Sequence, residues 1–258
     1  MKSSFEYRNH VCIVLEELSL DLYEILKHRK YRGLPLPLIQ NVLKEMLSAL
    51  VVLERARIVH SDIKPENILL SDIFSQSVKL IDFGSARFLE SPPHFYVQSR
   101  YYRAPEVVLA IPHDTKIDMW SLGCVAAELF LGFPLFPGQN EIHLLELITG
   151  MLGQFPLQIF HKTPRKNLFH SNGHLKSEEE INGSKVDFPN YFTYSSLDQT
   201  ILEYRIGLGM TPEAMTIEKR RRLLFVDLLK KMLNYIPEER ISPSQALEEP
   251  FLQYDFSK

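Results

Sequence analysis

Between Leu36 and Gly84 the sequence changes periodicity twice, and that order excludes an all-helical or all-β reading. Apolar residues first recur at Leu38, Ile39, Val42, Leu43, Met46, Leu47, Leu50 and Leu53, the spacing of one helix face, with Pro37 suited to the first turn. A polar tract follows, His60-Ser61-Asp62-Ile63-Lys64-Pro65-Glu66-Asn67. Two short apolar runs, Ile68 to Leu70 and Val78 to Ile81, then flank Ser71 to Ser77 and predict a small hairpin that ends on Asp82-Phe83-Gly84. Beyond Asp118 the pattern is helical, over 119–131, 141–152 and 217–233. Residues 5 to 15 alternate loosely and end in the β-rich run Val11 to Leu15, which predicts one strand and then a connector. Residues 156–212 are rich in Pro, Asn, Gly, Ser and charge, and read as a long insert between helices. The fold class expected is α+β, mostly helical in its second half.

Composition narrows the function more by exclusion than by suggestion. With 258 residues, 45% of them apolar and 24% charged, the chain can bury a core as one large domain or two modest ones. A formal charge of -3 argues against gripping a nucleic-acid backbone, so no direct nucleic-acid partner is expected. Cys12 and Cys124 lack any paired spacing, which disfavours a disulfide framework or structural zinc. Val11 to Leu15 is too short for a membrane span and the first ten residues lack a signal-peptide layout. The expectation is a soluble intracellular chain, in cytoplasm or nucleus, without a membrane partner.

The polar tract and the hairpin carry the chemistry. In an antiparallel hairpin the residue entering the first strand lies beside the one leaving the second, which predicts that Asn67 and Asp82 face each other. An amide oxygen beside a carboxylate suits Mg²⁺, which takes one or two such ligands and fills its remaining positions with water and phosphate. Asp62 and Lys64 share the loop before the hairpin, placing a carboxylate and an ammonium where a phosphoryl group could pass. Each residue alone is more often a turn former or a solvated charge. The fixed offsets together make the pattern specific.

These two motifs, with Ala104-Pro105-Glu106 downstream, resemble the eukaryotic protein kinase family. Tyr96-Val97-Gln98-Ser99-Arg100-Tyr101-Tyr102-Arg103-Ala104-Pro105-Glu106 and Ile117-Asp118-Met119-Trp120-Ser121-Leu122-Gly123-Cys124 look most like the dual-specificity tyrosine-phosphorylation-regulated and homeodomain-interacting kinases of the CMGC group. The resemblance implies a kinase-like fold: residues 1–15 as a truncated remnant of an N-terminal β lobe, 16–21 as hinge, 22–252 as a mostly helical C-terminal lobe with its insert, and 253–258 as tail. It implies ATP and Mg²⁺ as cofactors and protein Ser/Thr hydroxyls as substrates. Asp62 would be the catalytic base, Lys64 would contact the γ-phosphate, and Asn67 and Asp82 would hold the metal. Leu15 would be the gatekeeper, Glu16 to Leu18 would bind adenine, Asp21 would reach the ribose, and Leu69 would pack beneath the base. Tyr96 matches the activation-loop tyrosine that this group phosphorylates on itself, with Arg100 and Arg103 able to pair with the added charge. Arg100 also resembles the arginine linked to proline-tolerant substrate recognition. Glu106 would pair with Arg240, and Asp118 would hold the catalytic loop from a buried helix.

Several departures accompany the resemblance. Ser61 stands where many kinases have arginine, and His94 stands at the first position of a tyrosine-x-tyrosine pair. Only about fifteen residues precede Glu16; they contain no glycine-rich phosphate loop, and Lys2 lacks the strand context of an ATP-anchoring lysine. Two functions are therefore expected as alternatives: a protein kinase, or a catalytically impaired pseudokinase that serves as a protein-interaction module. Three further signals take the plainer reading. Asn172 and Gly173 break the helical spacing of His170 and His174, Trp120 reads as core, and Lys219 to Arg222 reads as a solvated helix face.

Overall fold

The computed structural model describes residues 2–72, 77–91, 96–183, 191–206 and 209–256. At its start, β1 (Ser3–Tyr7) and β2 (His10–Val14) pair antiparallel where the alternation predicts one strand. Arg8 and Asn9 supply the difference: both take positive φ, 49° and 62°, the geometry of a tight hairpin turn. Asp21 then caps α1 (Leu22–His28) by accepting the Glu24 N–H at 2.7 Å.

The predicted core-facing helix is α2 (Leu36–Arg55), with Pro37 in its first turn and Ile39, Leu43, Met46, Leu47 and Leu50 buried. Alone among the described helices it has the length and apolarity of a membrane span, but here its apolar face packs on other elements of the fold. The strands β3 (Ile58–Val59), β4 (Ile68–Leu70), β5 (Val78–Leu80) and β6 (Arg87–Phe88) follow, with β3 paired to β6 and β4 to β5. Next come α3 (Pro105–Val108) and α4 (Lys116–Leu131). Every residue from Ile117 to Leu131 is buried, as suits a helix apolar on all sides. After it come α5 (Glu141–Leu152), α6 (Leu157–Lys162), α7 (Glu178–Asn182), α8 (Leu197–Glu203), α9 (Pro212–Met232), α10 (Pro243–Leu247) and α11 (Pro250–Gln253). Packing of α2 and α9 on α4, and of α10 and α11 on α2, makes one continuous core.

The insert is tied to this core. Ile159, Leu168, Phe169, Leu197 and Ile201 are buried, and Tyr191 donates to the Pro134 carbonyl at 2.6 Å. The basic run at 219–222 departs from a solvated face. Arg222 is buried, pairs with Glu218 at 2.8 Å and donates to the carbonyls of Ile201, Leu202 and Tyr204 at the end of α8. Leaving the terminal carbonyls of a buried helix unpaired is costly, and this guanidinium supplies their donors. The turn before α2 abuts the end of α4: Gly33 (φ 75°) and Gly132 (φ 90°) each sit so close to facing backbone that a Cβ would come within 2.0 Å of the Phe130 carbonyl or 2.1 Å of the Tyr31 carbonyl. Leu34 N–H donates to the Leu129 carbonyl at 2.6 Å across the same junction.

Candidate active site

The polar tract is held from below by α4. Asp118, 2% exposed, accepts the His60 N–H at 2.7 Å and the Ser61 N–H at 2.9 Å. Burial pushes its carboxyl up to about 7, against the opposing pull of those two donors. Ser61 takes φ 67°, a left-handed conformation that costs a non-glycine residue of order 1–3 kcal/mol unless its surroundings enforce it. Here Asp118 enforces it from one side. From the other, the Ser61 carbonyl accepts the Gln98 N–H at 2.9 Å. His60 Nε2–H donates to the Ile81 carbonyl at 3.0 Å and the ring meets Phe83 edge to face, so the tract is fastened to the hairpin exit as well.

On this support Asp62 becomes the centre of a polar cluster. Its Oδ2 receives the Lys64 ammonium at 2.7 Å and the Asn67 amide at 3.2 Å, while its Oδ1 receives the Ser99 hydroxyl at 2.7 Å. Lys64 also donates to Ser99 at 3.3 Å. Burial raises the Asp62 carboxyl, but the bonds from Lys64 and Ser99 outweigh it and hold the group below the usual carboxylate range. At neutral pH it is therefore an anion, and it is half-buried.

The hairpin register differs by one residue from the sequence expectation. Ile68 pairs with Leu80, and Ile81 N–H donates to the Asn67 carbonyl at 2.9 Å, so Asn67 lies opposite Ile81 and Asp82 is one position beyond. Asp82 takes φ 62°, is exposed, and accepts the Gly84 N–H at 3.1 Å. Asn67 spends its amide N–H on Asp62, with bonds to the carbonyl at 2.9 Å and to Oδ2, which leaves its amide oxygen as a ligand. Among the described residues no three His, Cys, Asp or Glu side chains gather as a metal cage. One exposed carboxylate and one oriented amide oxygen fit a hard divalent ion that completes its shell with water and phosphate.

The remaining residues from the sequence reading fall into two groups. Leu15 is 65% exposed, and Glu16 meets β5 through Lys79, which donates to both Glu16 oxygens at 2.6 Å. Leu18 and Leu69 are half-buried, and the strip beside them is joined to β4 by Ser19 N–H to the Leu70 carbonyl and Leu70 N–H to the Leu20 carbonyl, both 2.9 Å. Asp21 bridges to Leu69 while capping α1. Beyond the cleft, Tyr96 is 79% exposed and the Arg103 guanidinium lies 4.6 Å over its ring. Arg103 also pairs with Glu141 at 3.2 Å, and Arg100 donates to the Gln139 carbonyl. His94 lies outside the described residues. Glu106 and Arg240 form a two-pronged ion pair at 2.6 and 3.0 Å with both side chains fully buried, and Trp120 stacks on the guanidinium.

Two residues that the sequence reading passed over do structural work here. Ser99 completes the Asp62 cluster. Gln98, buried at φ 64°, binds the Ile117 carbonyl, Ser121 and the Ala104 N–H, joining the segment before α3 to α4. Both stand in a quoted motif, but a lone polar side chain in a loop gives no spacing signal of its partner.

The family model described as "protein kinase domain" matches residues 1–252. The chain is 42% identical over 260 residues to the serine/threonine-protein kinase ppk15 of Schizosaccharomyces pombe, covering 96% of this chain and 48% of that protein. It is 39% identical to the dual specificity protein kinase YAK1 of Saccharomyces cerevisiae (98% and 34%) and 39% identical to homeodomain-interacting protein kinase 1 of Mus musculus (96% and 22%). The chain thus spans about half or less of the length of these relatives.

Proposed function

The chain belongs to the protein kinase family, on a branch similar to the YAK1-like, dual-specificity tyrosine-phosphorylation-regulated and homeodomain-interacting kinases, and from that premise we propose that it transfers the γ-phosphate of ATP to serine and threonine hydroxyls of proteins, with Mg²⁺ as the metal. The observation that carries this reading is the Asp62 cluster: an anionic carboxylate whose two oxygens are fixed by Lys64, Asn67 and Ser99.

Such a carboxylate can accept a hydrogen bond from an incoming hydroxyl and take its proton as the new P–O bond forms and the bond from the γ-phosphorus to the departing ADP breaks. Phosphoryl transfer passes through a loose transition state, so orientation of the nucleophile matters more than a strong base, and a lowered pKa is no handicap. Lys64, poised between Asp62 and Ser99, offers positive charge to the transferred group. Asn67 and Asp82 would hold the metal, which when bound supplies charge neutralisation on the phosphates. Leu15, Glu16, Leu18, Asp21 and Leu69 would face the nucleoside. Exposure of Tyr96, with the Arg103 guanidinium over its ring, supports tyrosine autophosphorylation, and Arg100 would contact substrate or the added phosphate.

The test is transfer of labelled phosphate from ATP to a generic basic protein substrate. Wild type is expected to transfer and Asp62→Asn to lose at least about a thousandfold of the rate with unchanged melting temperature, the scale of a group that orients and deprotonates the nucleophile. Equal rates would remove Asp62 from this role. A second reading, a catalytically impaired module that presents surface to partners, is favoured by the exposure of Phe5, Val11, Ile13 and Leu15; it predicts no transfer by wild type.

A further inference from the structure

Away from the cleft, the junction locked by Gly33 and Gly132 forms one wall of a cavity of about 420 Å³ in which arginine dominates. Arg29, Arg32, Arg205 and Arg221 line it with Tyr204 and Phe256. Among the described residues the one carboxylate in the wall, Glu218, is taken by Arg222. Among the described residues no carboxylate lies within 4.0 Å of the other four guanidinium groups, although the molecule as a whole is acidic. Arg29 and Arg32 also line an adjoining cavity of about 370 Å³ with His28 and Lys30.

Three of the four arginines, Arg29, Arg205 and Arg221, are held in place without a carboxylate partner among the described residues. Arg29 donates from Nε to the Gly33 carbonyl at 2.9 Å, which leaves the outer nitrogens of its fork uncommitted. Arg205 lies 5.0 Å over the Tyr204 ring and makes a long 3.5 Å bond to the Arg32 carbonyl. Arg221 lies 5.1 Å over Phe256 and 5.7 Å over Tyr254, and its buried Nε has no hydrogen-bond partner. Stacking on an aromatic ring restrains a guanidinium while leaving its in-plane donors free, so little ordering is left to be done when an anion arrives. Several like charges around one concavity repel each other until an anion enters.

We propose that this cavity is a docking site for a phosphorylated peptide segment of a partner protein, with the phosphate monoester held by Arg32, Arg205 and Arg221 and flanking acidic side chains facing Arg29 and Lys30. Forked guanidinium donors match the tetrahedral oxygens of a phosphate. An extended nucleic-acid backbone or a flat anionic bilayer spreads its charge over more surface than a cavity of about 420 Å³ can engage, whereas a peptide presents its phosphate on one protruding side chain that can enter a concave site. The four arginines come from the turn before α2, the end of α8 and from α9, so the site exists only in the folded chain.

Fluorescence anisotropy tests this with a short labelled peptide carrying one phosphoserine between glutamates, and the same peptide with plain serine. The phosphopeptide is expected to bind wild type at least about tenfold more tightly, and the Arg32→Glu, Arg205→Glu double variant to lose about tenfold in affinity with an unchanged melting temperature. Both changed side chains are exposed; should the pair lower the melting temperature, Arg32→Gln alone carries the test, with a loss of at least about threefold expected. Equal binding of the two peptides, or variants that bind like wild type, would overturn the proposal. So would tighter binding to phosphatidylserine vesicles or to oligouridylate than to the phosphopeptide. The measurement needs neither nucleotide nor turnover, so its failure leaves phosphoryl transfer untouched.

Discussion

Glu106 and Arg240 stand 134 positions apart and meet with no exposed surface on either side chain. Arg240→Met would strand a buried carboxylate, and urea denaturation is expected to read a loss of about 3–5 kcal/mol; adding Glu106→Leu should return much of it, because the pair's own net contribution is small once desolvation is counted. Glu128 is a different case. It accepts the Tyr102 hydroxyl at 2.8 Å, and burial, reinforced by the charge of Glu66, raises its carboxyl to about 7. The folded state then holds a proton that the unfolded state releases above its own carboxylate pKa, so stability is highest below about pH 4.5 for this group and declines as pH rises towards 7. Glu128→Gln should remove that decline, which amounts to at most about 3 kcal/mol, with the amide oxygen still accepting from Tyr102. A decline of the same size in the variant would put its cause elsewhere, Asp118 being the other carboxyl raised to about 7.

At the scale of elements, what could be read from the sequence was what repeats or has a fixed offset. The 3.6-residue pattern of α2 and the paired apolar runs of β4 and β5 stand in the chain where the structure has them. Neither the turn at Arg8 and Asn9, which depends on two positive φ values, nor the one-residue offset at Asn67, which depends on the pairing register, leaves such a trace. The burial of Arg222 was hidden for a related reason: its partners are the carbonyls of another helix, and a basic run looks the same whether or not such carbonyls await it. The junction of α4 with the turn before α2 rests on conformations that only glycine takes cheaply. Gly132→Ala should therefore cost at least about 2 kcal/mol in thermal or urea unfolding. Gln98→Ala breaks buried bonds to the Ile117 carbonyl, Ser121 and the Ala104 N–H, and hydrogen exchange should quicken at Ala104 and its neighbours while α2 stays protected. Uniform protection would mean that the segment is held by other contacts.

In the whole molecule, α4 serves as core, as the seat of Asp118 beneath the polar tract and as the wall against which Arg240 stacks. One buried helix thus sets the relation between the hairpin, the tract and the segment carrying Ser99. Under the proposed function this arrangement presents Asn67 and Asp82 to a nucleotide-bound cation, and the most direct measurement is the melting temperature of the chain with a nonhydrolysable ATP analogue in the presence of Mg²⁺ or of EDTA. A ligand at about a hundred times its Kd adds about 2.7 kcal/mol of stability, which is a rise of several degrees. Wild type and Asp62→Asn should both show that rise with Mg²⁺ and lose most of it in EDTA, and Asp82→Ala should show little under either condition. No rise in wild type, or an equal rise in Asp82→Ala, would contradict the account.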